Sequence, residues 1–246
     1  MCTTGGELMA RKARDIYGGR DPREVAQYAV WEAAHLLKIP RTTLQHWVSG
    51  RDQFGRKAEP LIMLPDPQLK LLSFINLVEA HVLDAIRYRH QVPLKSVRRA
   101  MSYLRDKYQS AHPLAEYAFE ESGVDLIIRE GQKILNISRS GQLAFREVVE
   151  AYLKRVEYDL DKGIAAYLYP YLKRHPQELE EPKLVLIDPR ISFGKPVLVG
   201  VGVPTAVIAD RHDAGEKIGE LAKDYGCEAA QIKQAIDYER ALPKAA

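Results

Sequence analysis

Apolar positions along this chain keep two different rhythms, and the change from one to the other organises it. Within Tyr28–Gly50, Ala33, Leu36 and Leu37 recur at spacings of three and four, as one side of a short helix does. Lys38-Ile39-Pro40 breaks that run. Proline cannot continue the first helix, but it can precede or open a second, where its missing N–H costs nothing. Leu44, Trp47 and Val48 supply the apolar side of the second helix, and Gly50 suits a left-handed helix end. Two short helices about a tight turn predict a helix-turn-helix. Its second helix shows Arg41, Thr42, Thr43, Gln45 and His46 outward. Such side chains bond phosphates and base edges in a major groove. An ordinary helical hairpin with a polar outer face is the plainer alternative.

The same order recurs downstream. Leu72, Ile75, Val78, Val82, Leu83 and Ile86 keep helical spacing between Leu69 and Tyr88, and Gln91-Val92-Pro93 ends the run. Val97, Met101 and Leu104 then mark a helix that displays Lys95, Arg98, Arg99, Arg105 and Lys107. It reads either as a second DNA-contacting unit or as part of a dimer-forming helical hairpin. The apolar positions of this pair exceed what two helices bury alone, which favours a homodimer through Leu69–Tyr108. Asn76, Glu79 and His81 stand among those positions and read as groups bonded within a core, not as catalysts.

The middle of the chain shortens its period. Val124–Ile128 and Ile134–Ile137 are strand candidates around Gly131-Gln132. Leu143–Tyr152 returns to helix. Val156–Leu160 and Ala165–Tyr171 bracket Asp161-Lys162-Gly163, a hairpin turn. Tyr158, Tyr167, Tyr169 and Tyr171 alternate there and read as half-buried packing rather than base-stacking platforms. His175–Pro182 is charged and holds two prolines, so a linker is expected. Beyond it come a strand at Leu184–Ile187, turns at Gly200 and Gly202, and a helix opening at Pro204-Thr205. Two more helices follow, Ile218–Tyr225 and Ala229–Leu242, joined by Gly226-Cys227-Glu228. Leu221, Ala222 and Tyr225 would face Ile232, Ala235 and Ile236. The expected fold is mainly α with small β elements (α+β): tandem helix-turn-helix modules, the last a winged-helix-like three-helix unit. The expected parts are residues 1–60, 61–118, 119–182 and 183–246.

Charge sharpens this division. Residues 1–115 hold 18 Lys and Arg against 11 Asp and Glu, while residues 116–246 hold 18 against 22. A basic first half suits nucleic acid and an acidic second half suits a different partner. Arg11, Lys12, Arg14 and Arg20 make the segment up to Asp21 a basic arm. Arg51, Arg56 and Lys57, after the first motif, are placed to take phosphates. Cys2 and Cys227 offer neither a disulfide framework nor a metal spacing, which fits a reducing cytoplasm. No stretch nears the roughly 20 apolar residues of a membrane span, and the N-terminus lacks the apolar centre of a signal peptide.

Chemistry is harder to find. Gly200-Val201-Gly202 lacks the third glycine and βαβ context of a dinucleotide site. Gly194-Lys195-Pro196 lacks the flanking residues of a phosphate loop. No HExxH and no GxSxG occurs. Neither an enzyme nor a cofactor or metal is expected.

Tyr28–Gly50 resembles the YxxxEAAxxLxIPxxTLxxWVxG helix-turn-helix of large VapB-type antitoxins. Leu72–Val82 with Val97-Arg98-Arg99-Ala100 is similar to their second segment. Asp188-Pro189-Arg190, Gly194-Lys195-Pro196-Val197 and Gly202-Val203-Pro204 resemble the small GKPVxxGTRIP module of unknown function, with Val201 and Gly202 where Thr and Arg often stand. Ala222-Lys223-Asp224-Tyr225 and Ala235-Ile236-Asp237-Tyr238 match that module too. The resemblance implies a type II antitoxin that binds operator DNA and neutralises a PIN-like ribonuclease toxin. A PIN-like site gathers carboxylates around a metal, and its substrate groove is rimmed by cations for RNA phosphates. Asp210, Asp213, Glu216, Glu220 and Asp224 are candidates for meeting those cations. Arg190, Lys195 and Arg211 are candidates for reaching the carboxylates. The strand Pro196–Val199 could also extend a toxin sheet. The alternative is a protein-binding adaptor whose helical modules serve dimerisation rather than DNA.

Overall fold

A computed structural model of the chain describes residues 17–50, 58–87, 94–125, 139–174 and 179–241. The arm expected up to residue 16, the Gln91-Val92-Pro93 break and the strands expected at 126–128 and 134–137 lie outside these residues.

The opening helix-turn-helix forms where the apolar spacing places it. Helix α1 is Val30–Leu37 and α2 is Arg41–Val48. Just ahead of α1, strand β1 (Tyr28–Ala29) pairs antiparallel with β2 (Leu71–Leu72), Tyr28 opposite Leu72. Helix α1 stops because Lys38 adopts a left-handed backbone, φ 57°. That turns the Ile39 N–H back to the Ala34 carbonyl at 3.0 Å. Pro40 then N-caps α2, its carbonyl accepting the Leu44 N–H at 3.1 Å. Leu44 and Trp47 are buried, and the Trp47 carbonyl accepts the N–H groups of Leu61 and Ile62. The returning chain is thereby fastened beneath α2.

Helix α3 (Phe74–Arg87) lies at the centre of the larger apolar cluster. Every residue from Phe74 to Ile86 is buried. The stripe read from the sequence is thus one side of a helix covered all round. Its partners are α1, the 3-10 turn Pro113–Ala115 and helix α5 (Arg139–Leu153). The apolar surplus that favoured a dimer through this pair is covered within the chain, so that ground for a second copy falls away. The polar residues of α3 are bonded, as a core requires. Ser73 and Asn76 exchange N–H and side-chain oxygen bonds at the helix start. Asn76 also donates to the Met63 carbonyl, and Glu79 meets His112 at 2.9 Å. Asp84 takes the Arg174 guanidinium at 2.7 Å.

Helix α4 (Leu94–Tyr108) buries Val97, Met101 and Leu104, the stripe expected of it. Phe119–Gly123 is a π-type turn, and Val124 and Asp125 continue it helically. This corrects the strand expected to begin at Val124. A short apolar run there has no period that separates strand from helix. Strands β3 (Val156–Asp159) and β4 (Ile164–Leu168) form the expected hairpin, with Gly163 left-handed at φ 65° in its turn. Leu168 bridges to Ile187, next to strand β5 (Val185–Leu186), which pairs with β6 (Val197–Leu198). At the described end of the expected linker, Leu179 packs against the core and its carbonyl accepts the Tyr171 hydroxyl at 2.9 Å.

One apolar cluster runs from Tyr28 to Ile187. A second joins Leu198 to helices α6 (Thr205–Asp213), α7 (Ile218–Tyr225) and α8 (Ala229–Arg240) through Ile208, Leu221, Ala222, Ile232, Ala235 and Ile236. Leu221, Ala222, Ile232, Ala235 and Ile236 face each other as expected. The fold is mainly helical with small antiparallel strand pairs, the α+β class read from the sequence.

Candidate nucleic-acid interface and its seam with the C-terminal module

Burial of Leu44 and Trp47 fixes which way α2 faces. Arg41, Thr42 and Gln45 are exposed, and Thr43 and His46 are half-buried beside them. These five share the surface of one helix whose first turn carries no acidic side chain. Arg51, Arg56 and Lys57 lie outside the described residues. On α4, Lys95 and Arg99 are exposed, whereas Arg98 is partly covered and donates from Nε to the Glu59 carbonyl at 3.0 Å. Arg105 donates to the Leu61 carbonyl at 2.7 Å. Both arginines thus tie α4 to the segment that follows α2, and Lys95, Arg99 and Lys107, three of the five cations expected on α4, are exposed.

Behind α2, the turn that sets its angle is held from the far end of the chain. The Lys38 side chain is buried, and its Nζ donates to the Tyr238 carbonyl at 2.6 Å. It also sits over the Tyr238 ring, 4.0 Å from the centroid. The Tyr238 hydroxyl donates to the Leu36 carbonyl at 2.8 Å. Neighbouring contacts reach α1 and the strand before it. Lys195 Nζ donates to Glu32 at 2.6 Å, His35 lies 3.6 Å from Glu239, and the Tyr28 hydroxyl donates to the Gly194 carbonyl at 3.0 Å. Burial lowers the Lys38 pKa from the usual lysine range to about 8, against a raising effect of the Glu239 charge. Burial raises the Tyr238 hydroxyl well above the usual tyrosine value. In the sequence Lys38 reads as part of a helix break, with nothing to connect it to Tyr238. Its one signal was a lysine at a turn position that needs a left-handed backbone, where glycine or asparagine is usual.

The residues expected to meet a toxin separate into two groups. Arg211 donates to Glu216 at 2.7 Å and to Asp224 at 2.7 Å, and these bonds raise its pKa. Asp213 pairs with Arg240, Arg190 with Asp188, and Lys195 with Glu32. The Glu220 carboxylate accepts the Lys217 N–H at the start of α7. Asp210 is exposed and forms no ion pair among the described residues. Most of these side chains therefore already have a partner on the module surface, and Lys195 reaches across to α1. Among the described residues no three His, Cys, Asp or Glu side chains gather as a metal site, and no helix is long and apolar enough to cross a membrane.

A family model described as "Putative DNA-binding HTH domain" matches residues 26–101, from β1 into α4. A second, of a protein family of unknown function, matches residues 185–238, from β5 to Tyr238. A Mycobacterium tuberculosis protein named "Putative antitoxin VapB45" is 31% identical over 237 residues, covering 87% of this chain and 94% of its own length. The chain belongs to the large VapB-type antitoxin family. Another M. tuberculosis relative, the uncharacterised protein Rv2308, is 29% identical over 238 residues, 89% of this chain and 91% of its own. The crystal structure of Rv2018 from the same organism superposes with a TM-score of 0.65 at 27% identity, covering 87% of this chain and 98% of that one. In this antitoxin-family chain the Lys38–Tyr238 contact joins the two matched regions at the end of the second.

Proposed function

We propose that the chain is the antitoxin of a type II pair. It represses its own operon by setting α2 into the major groove of operator DNA, and it neutralises a PIN-like ribonuclease through the C-terminal module. One observation carries the DNA half of this reading. The outward face of α2 offers Arg41, Thr42 and Gln45 exposed, on a helix anchored by Trp47 and by a fixed turn. Arginine fits guanine edges and glutamine fits adenine edges as two-pronged donors and acceptors. Lys95 and Arg99 on α4 are assigned to phosphates, with Arg51, Arg56 and Lys57. Family membership supports the toxin half, and the acidic second half supports a cationic groove as its target. A homodimer presenting two α2 helices to half-sites about one turn apart completes the reading.

The test is titration of the full chain onto DNA from upstream of its own gene, at several salt concentrations, with a scrambled duplex as control. Specific, salt-dependent binding is expected. Equal affinity for both duplexes would leave the adaptor reading in place. Co-expression with the neighbouring nuclease-sized reading frame, followed by ribonuclease assay, tests the toxin half.

A further inference from the structure

Two helix C-termini meet at the seam, and each lends the other a cap. The last turn of a helix leaves carbonyls without an intrahelical donor. In α1 the Ala34 and His35 carbonyls are taken by the chain as it turns back, and the Leu36 carbonyl is taken by the Tyr238 hydroxyl. In α8 the Asp237 carbonyl is taken by the Ala241 N–H, and the Tyr238 carbonyl is taken by Lys38 Nζ. The two capping residues are thus each other's neighbours, 200 positions apart in sequence. An ammonium at the negative end of a helix is well placed electrostatically. Burying it would be costly without that carbonyl and the ring face.

Lys38 is also the residue whose left-handed backbone ends α1 and starts the approach to α2. A lysine is a poor choice there on conformational grounds alone, because glycine reaches that backbone without strain. The choice makes sense if the side chain is needed. That side chain couples α8 to the turn itself, while Glu32–Lys195 and His35–Glu239 couple the module to α1. None of these bonds uses the outward side chains of α2.

We propose that Lys38 and Tyr238 are positioning residues for the DNA-reading helix: the C-terminal module clamps the α1–α2 turn, and α2 holds its reading angle only while α8 is docked. This rests on the assignment of α2 to DNA. The C-terminal module is then part of the DNA-reading unit, without touching DNA, rather than a separable appendage. A partner that draws α8 from the seam loosens α2.

The experiment uses the full chain and three variants, Tyr238→Phe, Lys38→Met and Lys38→Gly. Operator affinity is measured over a series of salt concentrations, and amide exchange is followed at Ile39 and Leu44, whose N–H groups close the turn. Tyr238→Phe and Lys38→Met are each expected to weaken operator binding roughly fivefold or more, the worth of one such hydrogen bond. The salt slope should not change, because no phosphate contact is lost. Lys38→Gly separates the clamp from a mere turn preference: it relaxes the backbone but removes the cap, so it should bind as weakly as Lys38→Met. Glycine binding as tightly as the parent would overturn the proposal, and a slope lowered by about one would make Lys38 a direct phosphate contact instead. Amide exchange tests the clamp without DNA. Faster exchange at Ile39 and Leu44 in Tyr238→Phe supports the clamp even if the parent binds no operator, whereas unchanged exchange in a folded variant refutes it.

Discussion

Gly194 sits against the Tyr28 hydroxyl so closely that a Cβ on it would lie 2.0 Å from that oxygen. The glycine has φ 70° and its carbonyl accepts the Tyr28 hydroxyl. Ser192 and Phe193 before it also hold positive φ, 47° and 54°. A three-residue left-handed turn is thus held against β1, and Phe193 remains exposed on it. Gly194→Ala should cost about 1–3 kcal/mol from overpacking, with the strained backbone adding to it. Urea unfolding of the full chain measures this. A midpoint equal to the parent's would mean that the turn moves aside freely and does not help to hold the seam.

Arg41 and Gln45 are exposed on α2, so replacing both by Ala should leave stability within about 0.5 kcal/mol of the parent. The same double variant should lose about 1–3 kcal/mol of specific operator affinity per missing base contact. Binding to a scrambled duplex should change less. Gel-shift titration on both duplexes reads the difference. If operator affinity holds while circular dichroism shows a native fold, the reading surface is elsewhere.

Arg99 and Lys95 are exposed on α4, and the proposed reading gives them phosphates rather than bases. Each replaced by Ala should weaken operator and scrambled DNA alike, and each should lower the salt slope by about one. An Arg99→Ala variant with an unchanged slope would return α4 to a purely structural role. Arg98 is expected to behave differently, because its bond to the Glu59 carbonyl serves the packing of α4 on the chain after α2.

His81 makes stability depend on pH. It is buried in α3, its Nε2–H donates to the Tyr152 carbonyl at 3.0 Å, and desolvation by burial lowers its pKa from 6.5 to about 4. The folded state thus favours neutral imidazole. Its contribution is complete above the unfolded value and is lost as pH falls from 6.5 towards 4, where only the unfolded chain takes up the proton. The slope in that window is at most about 1.4 kcal/mol per pH unit from this group. Urea midpoints of the parent and of His81→Gln between pH 7 and 4 isolate it. The variant should be less stable at neutral pH yet show a shallower decline, and parallel curves would exclude His81 as the source.

Local spacing carried much of this fold. Leu36, Leu37, Leu44 and Trp47 located α1 and α2, Val97, Met101 and Leu104 located the buried side of α4, and Asp161-Lys162-Gly163 located a real turn. Longer-range facts were not written in spacing. Two-residue strands such as β1 and β2 have no period to detect. An apolar stripe does not say whether the opposite side of α3 is also covered; Asn76, Glu79 and His81 read from the sequence as core groups, but nothing there marks Asp84 as buried against Arg174. At the site, the outward set on α2 followed from the inward set. The seam did not, because Lys38 and Tyr238 meet only through tertiary packing.

Toxin capture is the last of these expectations, and the geometry narrows its test. Arg211 bonds both Glu216 and Asp224, Asp213 bonds Arg240, and Glu220 caps α7, so changing any of them disturbs the module itself. A loss of toxin binding in those variants would not separate contact from folding. Asp210 on α6 is exposed and outside these pairs, and Lys195 joins the module to α1 only by an exposed bond to Glu32. Exposed ion pairs contribute at most about 1 kcal/mol, so Lys195 can be drawn to a carboxylate-rich site at small cost. Asp210→Lys and Lys195→Ala should therefore each weaken co-purification of the nuclease and restore part of its ribonuclease activity. Asp210→Lys should leave operator affinity at the parent's level, because the seam contacts with α1 run through Lys195, Tyr238 and Glu239 instead. If both variants silence the nuclease as fully as the parent does, the toxin is held by another surface of the chain.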